Sequence, residues 1–271
     1  MSQIAFIGGG NMATAIIGGL LRQGNVSAQM ITVSDPGEQQ RQTLTEQFGI
    51  SAVADNLDAI ANADVVIMAV KPQMMKTVLA PLAATLKARQ PLLVSIAAGI
   101  SIANLAAWSG CNAIVRCMPN TPALVGAGAT GLFANDAVTI EQRNEADQLL
   151  QATGVTVWVK EESELDIVTA LSGSGPAYYF LLMEAMVEAA TNMGLSETTA
   201  RALTLQTAFG AGKMALESDV GPAELRRRVT SPNGTTERAI VTFESADLRD
   251  LVAAAMDAAC KRAEEMNREL G

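Results

Sequence analysis

The feature that most restricts the fold lies near the start of the chain. Ile4-Ala-Phe-Ile7 is a short apolar run that stops at Gly8-Gly9-Gly10, and Asn11-Met12-Ala13 then opens a helical stretch through Leu21. The segment fits G-x-G-x-x-A placed after a strand and ahead of a helix. Gly8 permits a tight turn and Gly10 lets the backbone approach a pyrophosphate. Ala13 is small enough for the helix to pack closely on the strand. Up to about residue 160 the chain repeats the same alternation, with apolar strands at Met30–Val33, Asp64–Val70, Pro91–Ile96 and Asn112–Arg116. Strands that are apolar throughout, rather than at every second residue, indicate a parallel sheet covered by helices on both faces. Residues 1–160 are therefore expected to form an α/β dinucleotide-binding domain of the Rossmann type.

The pattern changes after Lys160. From Glu164 onward only helical periods are found, and residues 161–271 are expected to form an all-α domain. A helix over Pro176–Met193 has proline in its first turn and ends at Gly194; others follow Ser196, Pro222, Asn233 and Asp247. Tyr178-Tyr-Phe-Leu-Leu-Met183 is apolar all round its helix, which predicts a second buried face supplied by another copy of the chain.

Composition removes several functions. The net charge of −9, from 19 basic and 28 acidic residues, argues against nucleic acid and anionic membrane as partners. Cys111, Cys117 and Cys260 form no C-x-x-C pair and no even set, so neither a zinc site nor a disulfide framework is expected. No basic segment precedes the first apolar run, and the most apolar helix carries Glu184 and Glu188, so no signal peptide or membrane span is expected and the location is read as cytoplasmic. The chain has no histidine at all, which excludes imidazole as acid, base or metal ligand.

Several segments end on the edge where open α/β sheets bind ligands. Ser34-Asp35 closes the second strand, about 25 residues after Gly10. Asp35 there either binds an adenosine ribose 2′-OH, favouring NADH, or caps the following helix; Ser34 is the alternative holder of a 2′-phosphate. Ala69-Val70-Lys71-Pro72 and Ile96-Ala97-Ala98-Gly99 close two more strands, and Met118-Pro-Asn-Thr-Pro122 another. Ser172-Gly-Ser-Gly-Pro-Ala177 precedes the long apolar helix, with Ser172 and Ser174 as candidate caps. In the helical half, Ser231-Pro-Asn-Gly-Thr-Thr236 gathers three hydroxyls, an amide and a glycine ahead of a helix start. Neither Thr235 nor Thr236 is followed three residues later by Glu or Gln, so neither makes a capping box and their oxygens are left for a ligand. A small carboxylate suits such a place.

Taken together, these motifs resemble those of pyrroline-5-carboxylate reductases over the whole chain. The resemblance implies a Rossmann-type domain followed by a helical dimerisation domain, homodimers that often assemble into a decamer, and NADPH or NADH as hydride donor. Carried over by position, it places the cofactor against Gly8, Gly9, Gly10, Asn11, Met12, Ser34, Asn56, Ala69 to Pro72 and Ile96 to Ala98. It places the substrate against Glu162, Ser231, Gly234, Thr235 and Thr236. Two departures stand out: many relatives carry glycine at the position of Asn233, and NADPH-preferring members often lack an acid at that of Asp35.

A cyclic imine is basic enough to be protonated near neutral pH, and its iminium is the better hydride acceptor. A chain without histidine is then no obstacle, because orientation carries most of the work. Ser231 and Thr236 are the candidate catalytic residues, with Thr236 nearest the ring nitrogen. Other imine reductases and β-hydroxyacid dehydrogenases are the alternatives, although the latter use a lysine on the first long C-terminal helix and Pro176–Met193 has none. A dinucleotide-binding regulator without turnover is a third reading.

Overall fold

The computed structural model describes residues 2–270. Eight strands form one sheet: β1 (Ile4–Ile7), β2 (Ile31–Ser34), β3 (Ser51–Val53), β4 (Val65–Met68), β5 (Leu92–Ser95), β6 (Ile114–Met118), β7 (Gly128–Ala134) and β8 (Gly154–Trp158). Their order is β3-β2-β1-β4-β5-β6-β7-β8. Every pairing is parallel except β6 with β7, which is antiparallel and reverses the chain for the last two strands. After β1 the chain builds outward to β3, then returns to place β4 on the other side of β1. The loop after β1 thus sits at the point where strand order reverses, where ligands bind in such sheets.

The sheet is covered on both faces, as its apolar strands require. Ile4 and Phe6 of β1 enter one core with Ile16, Leu20, Val33 and Val94, while Ala5 and Ile7 enter a second with Ile60, Val66, Met68 and Leu79. All four residues of β1 are buried, which is the physical content of a continuous apolar run in a central strand.

The chain divides into two compact units. The first reaches to Ser174 and resumes at Ala258; the second is Gly175–Asp257. From Gly175 onward the helices are those the sequence leads one to expect: Gly175–Asn192, Glu197–Leu216, Pro222–Arg228, Thr235–Ser245 and Leu248–Leu270. Ser196 caps its helix, accepting from the Thr199 N–H at 3.2 Å. Ser172 and Ser174 do not cap theirs. A π-helical turn, Thr169–Gly173, runs into the Gly175 helix, and the Ser172 hydroxyl donates back to the Val168 carbonyl at 3.1 Å. A helix that enters from a preceding helix has no orphan first turn to cap.

In the second unit the helices bury little of themselves. Gly175, Ala200 and Thr204 are its buried residues, whereas Tyr179, Phe180, Leu181, Leu203 and Phe209 stand exposed. Apolar surface of this extent is the mark of an interface. No helix among the described residues is long and apolar enough to cross a membrane.

The end of the last helix belongs to the first unit. Asn267 Nδ2 donates to Asp166 Oδ1 at 2.7 Å, and a Cβ added to Gly99 would lie 3.1 Å from Met266 Cβ. Gly99 has φ +71, so the turn after β5 needs glycine for its backbone as well as for this contact.

Candidate functional site

A chain of backbone hydrogen bonds ties together the carboxyl ends of the strands in the first unit. The Gly8 N–H donates to Ser34 O at 2.8 Å, Ala69 N–H to Ile7 O at 2.8 Å, Ile96 N–H to Met68 O at 3.2 Å and Asp35 N–H to Val53 O at 3.1 Å. Gly8–Met12, Asp35, Ala69–Pro72 and Ile96–Ala98 therefore lie along one edge, with Asn56 in the first turn of the helix after β3. The three glycines have different reasons. Gly8 has φ +99, and an added Cβ would lie 2.6 Å from the Ala69 carbonyl oxygen. At Gly9 it would meet Leu44 Cδ1 at 2.7 Å. At Gly10 it would meet nothing within 4 Å, and the backbone there (φ −69, ψ −174) suits any residue. Gly10 is the N-cap of the Asn11–Gln23 helix without any side-chain cap, so no side chain satisfies the first-turn N–H groups. A pyrophosphate fits that cradle.

The β2 end differs from both readings of Asp35 taken alone. Its Oδ2 accepts from the Gly9 N–H at 2.9 Å and its Oδ1 from the Gly37 N–H at 2.8 Å, so the carboxylate clamps the glycine turn. The N-cap of the Glu38–Phe48 helix is Gly37, not Asp35. Each carboxylate oxygen still has room for a second donor, such as a ribose hydroxyl. Ser34 is fully buried and its hydroxyl donates to Phe6 O at 3.4 Å, so that side chain does not reach a surface where a 2′-phosphate would lie; the part of Ser34 that serves the turn is its carbonyl. Two residues not singled out in the sequence complete this corner. Gln40 Nε2 donates to Gly9 O at 2.5 Å, and Arg41 Nη1 donates to the carbonyls of Asp35 and Pro36 at 2.8 and 3.0 Å. Lys71 is exposed and makes no ion pair among the described residues.

The candidate substrate residues fall in both units. Ser231, Gly234, Thr235 and Thr236 belong to the second, where Gly234 is the N-cap of the Thr235–Ser245 helix and provides no side-chain cap. Among the described residues, the hydroxyls of Ser231, Thr235 and Thr236 have no hydrogen-bond partner, and neither do the N–H groups of Thr235 and Thr236. The segment is held by its backbone instead: Gly234 N–H donates to Ser231 O at 3.0 Å and Asn233 N–H to Glu237 Oε2 at 2.7 Å. Asn233 adopts φ 58. That left-handed position accounts for an asparagine where glycine is the common alternative, since these residues tolerate it best. Glu162 belongs to the first unit. Its Oε1 accepts from Arg116 Nη1 at 2.6 Å and from the Ile102 N–H at 2.7 Å.

Comparison with known proteins decides the family. Residues 162–266 match the model described as pyrroline-5-carboxylate reductase dimerisation, and residues 3–99 match that described as NADP oxidoreductase, coenzyme F420-dependent. A pyrroline-5-carboxylate reductase of Pseudomonas aeruginosa is 55% identical over 270 residues, covering 99% of this chain and 98% of its own. The chain belongs to the pyrroline-5-carboxylate reductase family. The structure of the Coxiella burnetii pyrroline-5-carboxylate reductase superposes with a TM-score of 0.94 at 45% identity, covering 98% of each chain. A Plasmodium falciparum pyrroline carboxylate reductase, solved with NADP bound, gives 0.85 at 29% identity, again over 98% of each chain.

As a member of this family the chain is an NAD(P)-type oxidoreductase with a dimerisation domain. Cys111 and Cys117 are buried, and burial pushes both thiols up from the ordinary range, so neither is a ready nucleophile. No group of three His, Cys, Asp or Glu that could hold a metal ion occurs among the described residues. Asn120 lies between β6 and the Thr121–Val125 turn. Its Nδ2 donates to Ser172 O at 3.0 Å and its Oδ1 accepts from the Ala129 N–H at 2.9 Å, joining the segment after β6 to β7 and to the π-helical turn.

Proposed function

We propose that this chain reduces L-1-pyrroline-5-carboxylate to L-proline with NADPH or NADH in the cytoplasm, as a homodimer built through its second unit and assembled further as a decamer. The observation that carries the reading is the Ser231–Thr236 segment, in which hydroxyls and helix-start N–H groups stand ready for an anion without internal partners. The full-length likeness to enzymes named for this substrate supports it. The dinucleotide would lie on the Gly8–Met12 turn, with Asp35 and Asn56 toward its adenosine end and Ala69–Pro72 and Ile96–Ala98 as the wall beside its ring.

Bound there, a reduced nicotinamide supplies a hydride to the imine carbon. The protein's own part is to hold the substrate. Ser231 and Thr235 hydroxyls and the Thr235 and Thr236 N–H groups bind the carboxylate, where each bond to the charged group is worth about 1.5–3 kcal/mol. The Thr236 hydroxyl bonds the ring nitrogen and keeps the imine face toward the donor. The proton that ends on nitrogen arrives with the iminium, so no residue needs to be a strong acid.

Steady-state oxidation of NADPH and NADH with pyrroline-5-carboxylate, followed by nicotinamide absorbance, tests the activity. Ser231→Ala and Thr236→Ala test the assignment: each is expected to lower kcat/KM for the imine by roughly 10- to 150-fold, the equivalent of one charge-assisted hydrogen bond. Wild-type constants in both variants would remove these residues from the site.

A further inference from the structure

Arg116 is the most deeply buried cation with a charged partner in the first unit. Its side chain is 7% exposed, against 30% for Glu162, and the two make the Arg116 Nη1–Glu162 Oε1 contact of 2.6 Å. The other ion pairs among the described residues lie on the surface of the helical unit and the last helix. Surface pairs of that kind contribute little, whereas a desolvated guanidinium is retained at a cost unless its geometry is used.

The geometry shows the use. Arg116 lies on β6 in register with Ser95 of β5, the residue directly before the Ile96–Ala98 turn. The same Glu162 oxygen that meets Arg116 also accepts from the Ile102 N–H, in the first turn of the Ile102–Ser109 helix that ends that turn. One carboxylate oxygen therefore pins the far end of the cofactor turn to the sheet. A negative group at a helix start is favourable on its own account, and the helix already has its side-chain cap in Ser101. The other oxygen, Oε2, has no hydrogen-bond partner among the described residues, and the side chain keeps 30% of its surface open.

We propose that Glu162 divides its two oxygens between two tasks and that Arg116 is the positioning residue that enforces the division. Oε1, saturated by Arg116 and Ile102, fixes the Ile96–Ser101 turn. Oε2 is left as the negative counterpart to the positive ring nitrogen of the substrate, a charge that a carboxylate favours. Without Arg116 the carboxylate is free to turn either oxygen to Ile102 and to swing toward solvent. The inference rests on the pyrroline-5-carboxylate reading above.

A double-mutant cycle on the intact oligomer tests it, with Arg116→Lys, Glu162→Gln and the pair. Glu162→Gln keeps a carbonyl oxygen for Arg116 and Ile102 but replaces Oε2 by a donor. It is expected to lower kcat/KM for the imine roughly tenfold or more while leaving cofactor affinity near wild type. Arg116→Lys keeps the charge and loses the guanidinium's fixed geometry, so a several-fold loss is expected, with Arg116→Met losing more. In the Glu162→Gln background the Arg116→Lys loss should vanish, because Arg116 acts through Glu162. Losses that multiply in the pair, or variants with unchanged imine constants and only lowered thermal stability, would overturn the proposal. Wild-type protein inactive on the imine would instead overturn the functional reading, so the two failures are told apart.

Discussion

Gly10→Ala separates a glycine kept for the fold from one kept for a ligand. At Gly10 an added Cβ meets nothing within 4 Å, and φ −69 is ordinary for alanine. Replacing glycine at a compatible position stabilises a chain by about 0.4–1 kcal/mol through the unfolded state. Alanine is a poorer N-cap than glycine by a comparable amount. The two effects oppose each other, and the free protein should melt within a few degrees of wild type. Cofactor binding should change far more. The methyl stands where the pyrophosphate must approach the first-turn N–H groups of the Asn11–Gln23 helix, and losing one such bond to a charged group costs about 1.5–3 kcal/mol. At about 1.4 kcal/mol per tenfold, Kd should rise roughly 10- to 150-fold. Nicotinamide fluorescence titration reads the affinity and thermal unfolding reads the stability. Gly8→Ala is the control: with φ +99 and the Ala69 oxygen 2.6 Å from the new Cβ, it should lose about 1–3 kcal/mol of stability from strain alone. A Gly10→Ala protein that is stable and binds cofactor like wild type refutes the assignment of that open space to the pyrophosphate.

Asp35→Ser should weaken both cofactors, because it unclamps the Gly9 and Gly37 N–H groups, and should weaken NADH more; an unchanged NADPH/NADH ratio of kcat/KM removes Asp35 from the ribose site. Asn233→Gly should leave imine KM and melting temperature near wild type, since the position is left-handed and its N–H bond to Glu237 is from the backbone; a lowered KM would show that the amide side chain crowds the carboxylate. Burial pushes the Asp166 carboxyl above its usual range, opposed by the hydrogen bond from Asn267. The folded protein then holds that proton more tightly than the unfolded chain, so stability falls as pH rises from the ordinary carboxylate value through the raised one. Asp166→Asn should flatten this part of a melting-temperature profile against pH.

The five strands β1, β2, β4, β5 and β6 were legible because strands covered on both faces carry near-continuous apolar runs. β7 and β8 were not individually legible. Gly128 and Gly131 interrupt the first, and β8 exposes Val155 and Val157, so neither has the continuous apolar run. Their junction also depends on a backbone contact between Gly154 (φ +148) and Gly128, two residues far apart in sequence. In the candidate site, the glycine turn and the hydroxyl cluster were visible because their chemistry is local. The clamp by Asp35, the burial of the Ser34 side chain and the pairing of Arg116 with Glu162 were not, since each depends on what another strand presents. The caps proposed at Ser172 and Ser174 failed for a similar reason: a cap is needed only where a helix starts, and here one helix continues from another.

The return of the last helix to the first unit has a consequence for the order of synthesis. The nucleotide half is encoded first, yet its turn after β5 rests on Met266, and Asp166 finds its amide partner in Asn267. On the ribosome that half must wait, incompletely braced, until Met266 and Asn267 have been added. A chain stalled or clipped before Met266 would therefore carry the sheet with the turn after β5 stripped of its backing.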